Sequence, residues 1–286
     1  MLRNELVSIC IPTYNGAKFL EQALDSVKAQ TYRNIEVIIS DDNSTDNTLA
    51  IAENFRKDVD FPVHIFHHEP AGIGANWDHC IEKSSGSWIK FLFQDDILES
   101  DCLEEFLKLQ EITGELVFFS KRTIIDENGA DISQNSWISD LQQTVLLDID
   151  NYIVFTKNKL NILGRDSKMH LSHNFFGEPV ASFISKSAFT KTGLHNKALQ
   201  QLLDLEYNLR LLKHYNIVIT EQKLIRFRVH TEQATQQNWN NNINEHNLLD
   251  WFIIRNFYRY LNRRAILGYF YRRYPFVRYV RGKIRI

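Results

Sequence analysis

Apolar and polar positions alternate in blocks through the N-terminal third of the chain. Leu6–Pro12 (LVSICIP) is a mostly apolar run that stops at the turn-like TYNG, the pattern of a buried strand. Phe19, Leu20, Ala23, Leu24 and Val27 then recur at helical spacing, which predicts an amphipathic helix over residues 17–30. The alternation repeats: Ile35–Ser40 reads as a strand, Thr48–Phe55 as a helix and Val63–His67 as a strand. A helix from about Ala75 to Lys83 and a strand at Trp88–Phe93 follow. Short connections between such elements predict βαβ units and an α/β fold with a mostly parallel sheet flanked by helices. In open sheets of this kind, ligands bind beyond the carboxyl ends of the strands.

Downstream, residues 99–111 read as a helix, Leu116–Ser120 as a strand and Leu199–Lys213 as a helix. Ile217–Thr220 and Leu224–Val229 predict a hairpin, residues 127–164 are weakly patterned, and the Asn/Gln-rich stretch 236–249 reads as a loop or hinge. One domain over residues 1–235, with halves meeting near residue 120, and a helical extension over 236–286 are expected. A 44% hydrophobic content excludes wholesale disorder. Cys10, Cys80 and Cys102 are odd in number and lack metal spacing, so neither a disulfide framework nor a zinc site is expected. No apolar run approaches the roughly 18 residues that cross a bilayer, and a cytoplasmic location follows as the expectation. The net charge of −2 hides an asymmetry: residues 251–286 hold ten Lys and Arg and no Asp or Glu, which leaves −12 on the rest. A basic, aromatic extension on an acidic body calls for a partner, either the body itself, an anionic membrane surface or a nucleic acid.

Two carboxylate pairs carry the candidate chemistry. Asp95-Asp96 ends one predicted buried strand and Asp41-Asp42 another. Neighbours in an extended segment point apart, so one acid of a pair can meet a metal while the other meets a hydroxyl or water. Hard oxygen ligands suit Mg2+ or Mn2+, which is commonly shared between carboxylates and substrate phosphates. Each pair taken alone could merely cap the next helix. Two pairs at strand ends of one sheet converge on the same crevice.

The segment VSICIPTYNGAKFLEQALDSVKAQTYRNIEVIISDDNSTDNT resembles the opening of family 2 glycosyltransferases of the GT-A fold. The likeness continues through GIGAN, WIKFLFQDD, NFFGEP, LLDLEYNLRLL and FRVHTEQAT, in the family's order, over roughly residues 6–236. It implies an inverting, metal-dependent transfer from a nucleotide-sugar donor to a carbohydrate or lipid-linked saccharide, as in bacterial polysaccharide or lipopolysaccharide synthesis. A UDP-sugar is the favoured donor and Mn2+ or Mg2+ the cofactor. Residues 1–120 become the nucleotide half and 121–235 the acceptor half.

Carried over by position, Pro12, Thr13, Tyr14 and Asn15 match the first-strand loop around the base, and Asp42 with Asp41 the acid that recognises it. Gly72 and Asn76 match the loop and helix start over the nucleotide. Asp95 and Asp96 match the end of the D-x-D signature, with Asp96 expected as the direct ligand and Phe93 standing where the first acid would be. Asp204 matches the catalytic base, with Glu206 as its rival. Arg226, Arg228 and His230 share one face of a predicted strand, which suits a diphosphate and, at His230, the metal. Glu178 matches the acceptor side, and His67 and His68 are expected to be structural. With sugar transfer implied, the extension favours an anionic membrane over nucleic acid, and a peripheral position on the inner face of the membrane. The rival readings are a non-catalytic nucleotide-sugar-binding subunit and a nucleotidyltransferase.

Overall fold

The computed structural model describes residues 4–135, 151–162, 174, 176–233 and 245–274. Its centre is a nine-stranded sheet in the order β3-β2-β1-β4-β8-β6-β9-β5, with β7 also paired to β9. The strands are β1 (Val7–Thr13), β2 (Ile35–Asp41), β3 (Val63–His67), β4 (Trp88–Phe91) and β5 (Ile97–Leu98), then β6 (Val117–Ile125), β7 (Tyr152–Phe155), β8 (Ser182–Ser185) and β9 (Ile217–Arg228). Strands β3, β2, β1 and β4 run parallel, as the βαβ pattern predicts. Beyond β4 the sheet is mixed, because β8 enters antiparallel between β4 and β6.

Period-two alternation divides the core. Val7, Ile9 and Ile11 face the layer of α1 (Leu20–Lys28), α2 (Thr48–Lys57) and α4 (Cys102–Thr113). Cys10 and Ile38 face α3 (Ile73–Lys83), α5 (Lys186–Thr192), α6 (Leu203–His214) and α7 (His246–Phe257). All three cysteines are free and buried.

Two expectations need correction. The predicted hairpin at 217–229 is one continuous strand, β9. Its polar middle, Glu221–Lys223, carries no turn residue; it passes a register shift opposite Lys121, whose ammonium pairs with Glu221. The strand expected at Trp88–Phe93 leaves the ladder after Phe91, and Asp96 N–H donates to the Phe93 carbonyl at 3.1 Å to close a turn before β5.

In the extension, Leu249, Ile253 and Phe257 of α7 join the α6 side of the core. Leu248 and Trp251 remain exposed on α7, as does Leu267 on α8 (Arg263–Arg273). Among the described residues no helix is long and apolar enough to cross a membrane.

Candidate active site

At the carboxyl ends of β1 and β2 the first two loops are stitched together before any ligand arrives. Asp41 is fully buried and accepts hydrogen bonds from Thr13 Oγ1 (2.7 Å), Ser44 N–H (2.8 Å) and Ser44 Oγ (2.6 Å). Its carboxylate holds the turn, which leaves Asp42 as the acid of the pair facing the crevice. Asn15, left-handed at φ 47°, accepts from Thr45 N–H at 2.8 Å, and its own N–H donates to Ser44 Oγ at 2.8 Å. A short polar side chain tolerates that backbone better than a branched one.

Asp42 is joined to His68 Nδ1 at 2.5 Å, and the His68 ring lies 4.9 Å from that of His79. Burial raises the Asp42 pKa while the bond to His68 opposes the rise. His68 was expected to be structural; it lies one residue past the end of β3, at the mouth of the site. Across the crevice, Gly72 has φ 95° and precedes α3, where Asn76 is buried with its side-chain oxygen unpartnered among the described residues.

The Asp95-Asp96 pair lies in the turn after β4, where its two side chains part and Asp96 is the inward member. It is 1% exposed, and one carboxylate oxygen accepts the Arg228 N–H at 2.9 Å while the other has no partner. Burial, with Asp95 alongside, pushes its pKa well up. Asp95 is the half-exposed member, and its Oδ2 lies 3.0 Å from His230 Nε2. Asp96, expected as the direct metal ligand, keeps that one oxygen unpartnered among the described residues, while Asp95 pairs with His230. One carboxylate and one imidazole fit a Mn2+ or Mg2+ site completed by substrate oxygens. Among the described residues, no cluster of three or more ligating side chains exists to hold a metal unaided.

Arg226 and Arg228 do not face a diphosphate. Arg226 pairs with Glu99 at 2.7 Å on the surface. Arg228 is buried and donates to the carbonyls of Asp95 (2.8 Å), Asp126 (3.1 Å) and Glu127 (3.0 Å), and to Gln22 (2.7 Å). It fastens the loop bearing Asp95 rather than presenting charge to a ligand.

On the opposite side, Asp204 opens α6. Its carboxylate accepts from Leu205 N–H at 2.7 Å and Asn174 Nδ2 at 2.7 Å. Burial raises its pKa, and these two donors oppose the rise. Glu206, its rival, is turned into an ion pair with Arg210 at 2.8 Å. Asn174 also donates to the carbonyl of Gly177 at 2.7 Å, and Gly177 has φ 110°, which only glycine adopts without strain. Glu178, the expected acceptor contact, is paired with the buried Arg122. Burial lowers the Arg122 pKa to about 10, and the carboxylates of Asp96 and Asp204 both oppose that fall. Arg122 thus places one cation within reach of both halves of the site. The sequence marked Asn174 only as the start of the NFFGEP segment, and Arg122 not at all. Arg122 reads as one polar position in a strand.

Comparison with known proteins agrees with this architecture. The family model described as "Glycosyl transferase family 2" matches residues 8–179. An uncharacterized glycosyltransferase of Rickettsia felis is 30% identical over 239 residues, 83% of this chain, although the match spans 36% of that relative's length. The fold is shared with S. aureus TarS 1-349 in complex with UDP-GlcNAc, at TM-score 0.65 and 16% identity over 87% of this chain and 67% of that one. It is shared too with the mannosyltransferase PcManGT from Pyrobaculum calidifontis in complex with GDP-Man and Mn2+, at TM-score 0.60 and 13% identity over 87% and 63%.

Proposed function

The chain belongs to glycosyl transferase family 2, and we propose that it transfers a sugar from a nucleotide diphosphate donor to a carbohydrate acceptor with inversion. The observation that carries this reading is the placement of Asp42 at the end of β2, Asn76 on α3 and the Asp95–His230 pair in the loops after β4 and β9, with a half-buried, hydrogen-bonded Asp204 at the start of α6. Asp42 and Asn76 bind the nucleoside, with a UDP-sugar favoured, in keeping with the UDP-GlcNAc bound by TarS. Asp95 and His230 would hold Mn2+ or Mg2+, in keeping with the Mn2+ of the mannosyltransferase. When bound, the metal neutralises charge on the departing nucleoside diphosphate.

Asp204 accepts the proton of the attacking hydroxyl as the new bond forms to the anomeric carbon. Asn174 fixes the orientation of that carboxylate, so its free lone pairs face one direction. Glu178, anchored by Arg122, meets acceptor hydroxyls in this reading. The extension bears exposed Leu248, Trp251 and Leu267 beside its ten cations, which supports reversible attachment to an anionic leaflet and a lipid-linked acceptor in polysaccharide or lipopolysaccharide synthesis.

Nucleotide release from a panel of UDP-, GDP- and dTDP-sugars, with Mn2+, Mg2+ or EDTA, tests the reading. Metal-dependent hydrolysis of one donor is expected, and failure of every donor to bind would overturn it. Vesicle co-sedimentation tests the attachment: binding to phosphatidylglycerol vesicles should vanish on deletion of residues 263–286, and unchanged binding refutes it.

A further inference from the structure

Behind Asp204 lies a second acid–histidine pair that the reaction described above does not use. His195 is 6% exposed, Asp78 is 1% exposed, and His195 Nδ1 lies 2.7 Å from Asp78 Oδ1. The backbone N–H of His195 donates to the same oxygen at 3.1 Å, so the pair is fixed at two points. The ring is walled by Trp77 at 5.3 Å and Tyr207 at 4.4 Å between centroids. Asp78 Oδ2 has no partner among the described residues, which leaves this carboxylate with the imidazole as its ionic partner there.

His195 and Asp204 line the same cavity of about 10 Å³, together with Tyr207 and Asn208. That volume is at the threshold for a single water, and on a mostly apolar lining His195, Asp204, Tyr207 and Asn208 are the polar residues that could meet it. Asp78 engages Nδ1, so Nε2 is the ring nitrogen left for the cavity. A carboxylate on Nδ1–H holds the imidazole in the tautomer whose Nε2 accepts a proton, and it stabilises the imidazolium that results.

We propose that the Asp78–His195 pair is a proton relay that resets Asp204 through this cavity. The proposal rests on Asp204 being the base. The acceptor O–H bond breaks as its oxygen bonds the anomeric carbon, and the proton passes to an Asp204 oxygen. One cavity water then takes that proton and passes one of its own to His195 Nε2, which restores the carboxylate. The imidazolium releases the proton to solvent between turnovers. Other charges facing this region are Glu206 and Arg210 on α6 and the Arg122–Glu178 pair, while Tyr207 stays neutral because burial raises its pKa far above neutrality. His195 is a positioning residue here, since it meets the substrate only through Asp204.

The test is the pH profile of kcat for donor hydrolysis, using the UDP-, GDP- or dTDP-sugar that the release panel selects. The unmutated protein should lose activity on acidification, because His195 must be neutral to receive the proton. His195→Gln should lower kcat about 10-fold with donor KM unchanged, and this acid limb should disappear. Asp78→Asn should move that limb to lower pH, because losing the carboxylate disfavours the imidazolium. An unchanged limb in His195→Gln overturns the relay, as does a wild-type profile without one. Histidine labelled with 15N in the unmutated protein gives an independent reading should either variant misfold: the neutral form must carry its proton on Nδ1, and the other tautomer refutes the relay. Asp204→Asn separates the two ideas. If it retains turnover the base assignment fails; if it is inactive while His195→Gln keeps its limb, only the relay fails.

Discussion

At the proposed donor edge, Asp41, Asp46, Ser44 and Thr48 fasten the loops after β1 and β2 through hydrogen bonds to hydroxyls and backbone N–H groups. At the proposed acceptor edge, Asp204 and Glu178 adjoin Arg122, Asn174 and the buried Asp78–His195 pair. The first edge is a frame of many modest bonds that share the load, each worth about 1 kcal/mol. The second concentrates a few charged groups where water is scarce, so each has a large effect on its neighbours. Changes at the acceptor edge should therefore act sharply on turnover, and changes at the donor edge should act gradually on affinity.

The largest effect is expected from Asp204→Asn. Turnover should fall by roughly 10²- to 10⁴-fold, the contribution of a positioned general base. Affinity for the nucleoside diphosphate, measured by calorimetry, should stay within about twofold. A drop in affinity with turnover preserved would reverse the contrast between the edges.

Next comes the choice between Asp95 and Asp96. Asp95→Asn should reduce metal-dependent turnover on the order of 100-fold, with a higher Mn2+ requirement. Asp96→Asn should cost less than about 10-fold, because the amide keeps an oxygen that can accept the Arg228 N–H. A Mn2+ titration of both variants decides the matter; the opposite ranking would make Asp96 the ligand. Asp42→Asn is smaller again. It removes a charge from the proposed base site, and nucleotide affinity should fall roughly 10- to 100-fold with kcat unchanged, consistent with about 1.5–3 kcal/mol for a hydrogen bond to a charged group.

The same contrast separates what could be read in the chain from what could not. The donor edge is legible because its acids follow apolar runs immediately, so Asp41-Asp42 and Asp95-Asp96 announce themselves by position. Which acid of a pair turns inward was not legible. That depends on where the chain leaves the ladder, and β4 ends two residues earlier than its apolar run. The acceptor edge is assembled across long separations, with Asp78 and His195 117 residues apart and Asn174 and Asp204 30 apart. No local pattern marks such partners. The supposed hairpin misled for a related reason: polar Glu221–Lys223 looks like a turn, yet it is a strand segment whose charges meet Lys121 on a neighbour. Arg226, Arg228 and His230 alternate correctly, but only the fold shows that Arg228 is committed to three carbonyls.

The smallest expected effect tests whether the donor frame really shares its load. Gln94 accepts from Tyr14 N–H at 2.9 Å and donates to the Tyr14 carbonyl at 3.0 Å, clasping the β1 loop to the turn before Asp95. Gln94→Ala removes both bonds, yet Asn15, Gly16 and Ala17 remain tied to Ser44, Thr48 and Asp46. Nucleotide affinity should therefore weaken only about two- to fivefold, near 1 kcal/mol or less. Gly16 sharpens the point, since a methyl added there would meet the Gln94 side-chain oxygen at 2.2 Å. Gly16→Ala should consequently weaken binding more in the parent than in the Gln94→Ala background, where the space has opened. A double-mutant cycle in nucleotide affinity measures that coupling. Strict additivity would mean that the clasp plays no part in shaping the loop. A loss from Gln94→Ala alone as large as that from Asp42→Asn would mean that the frame hangs on one bond.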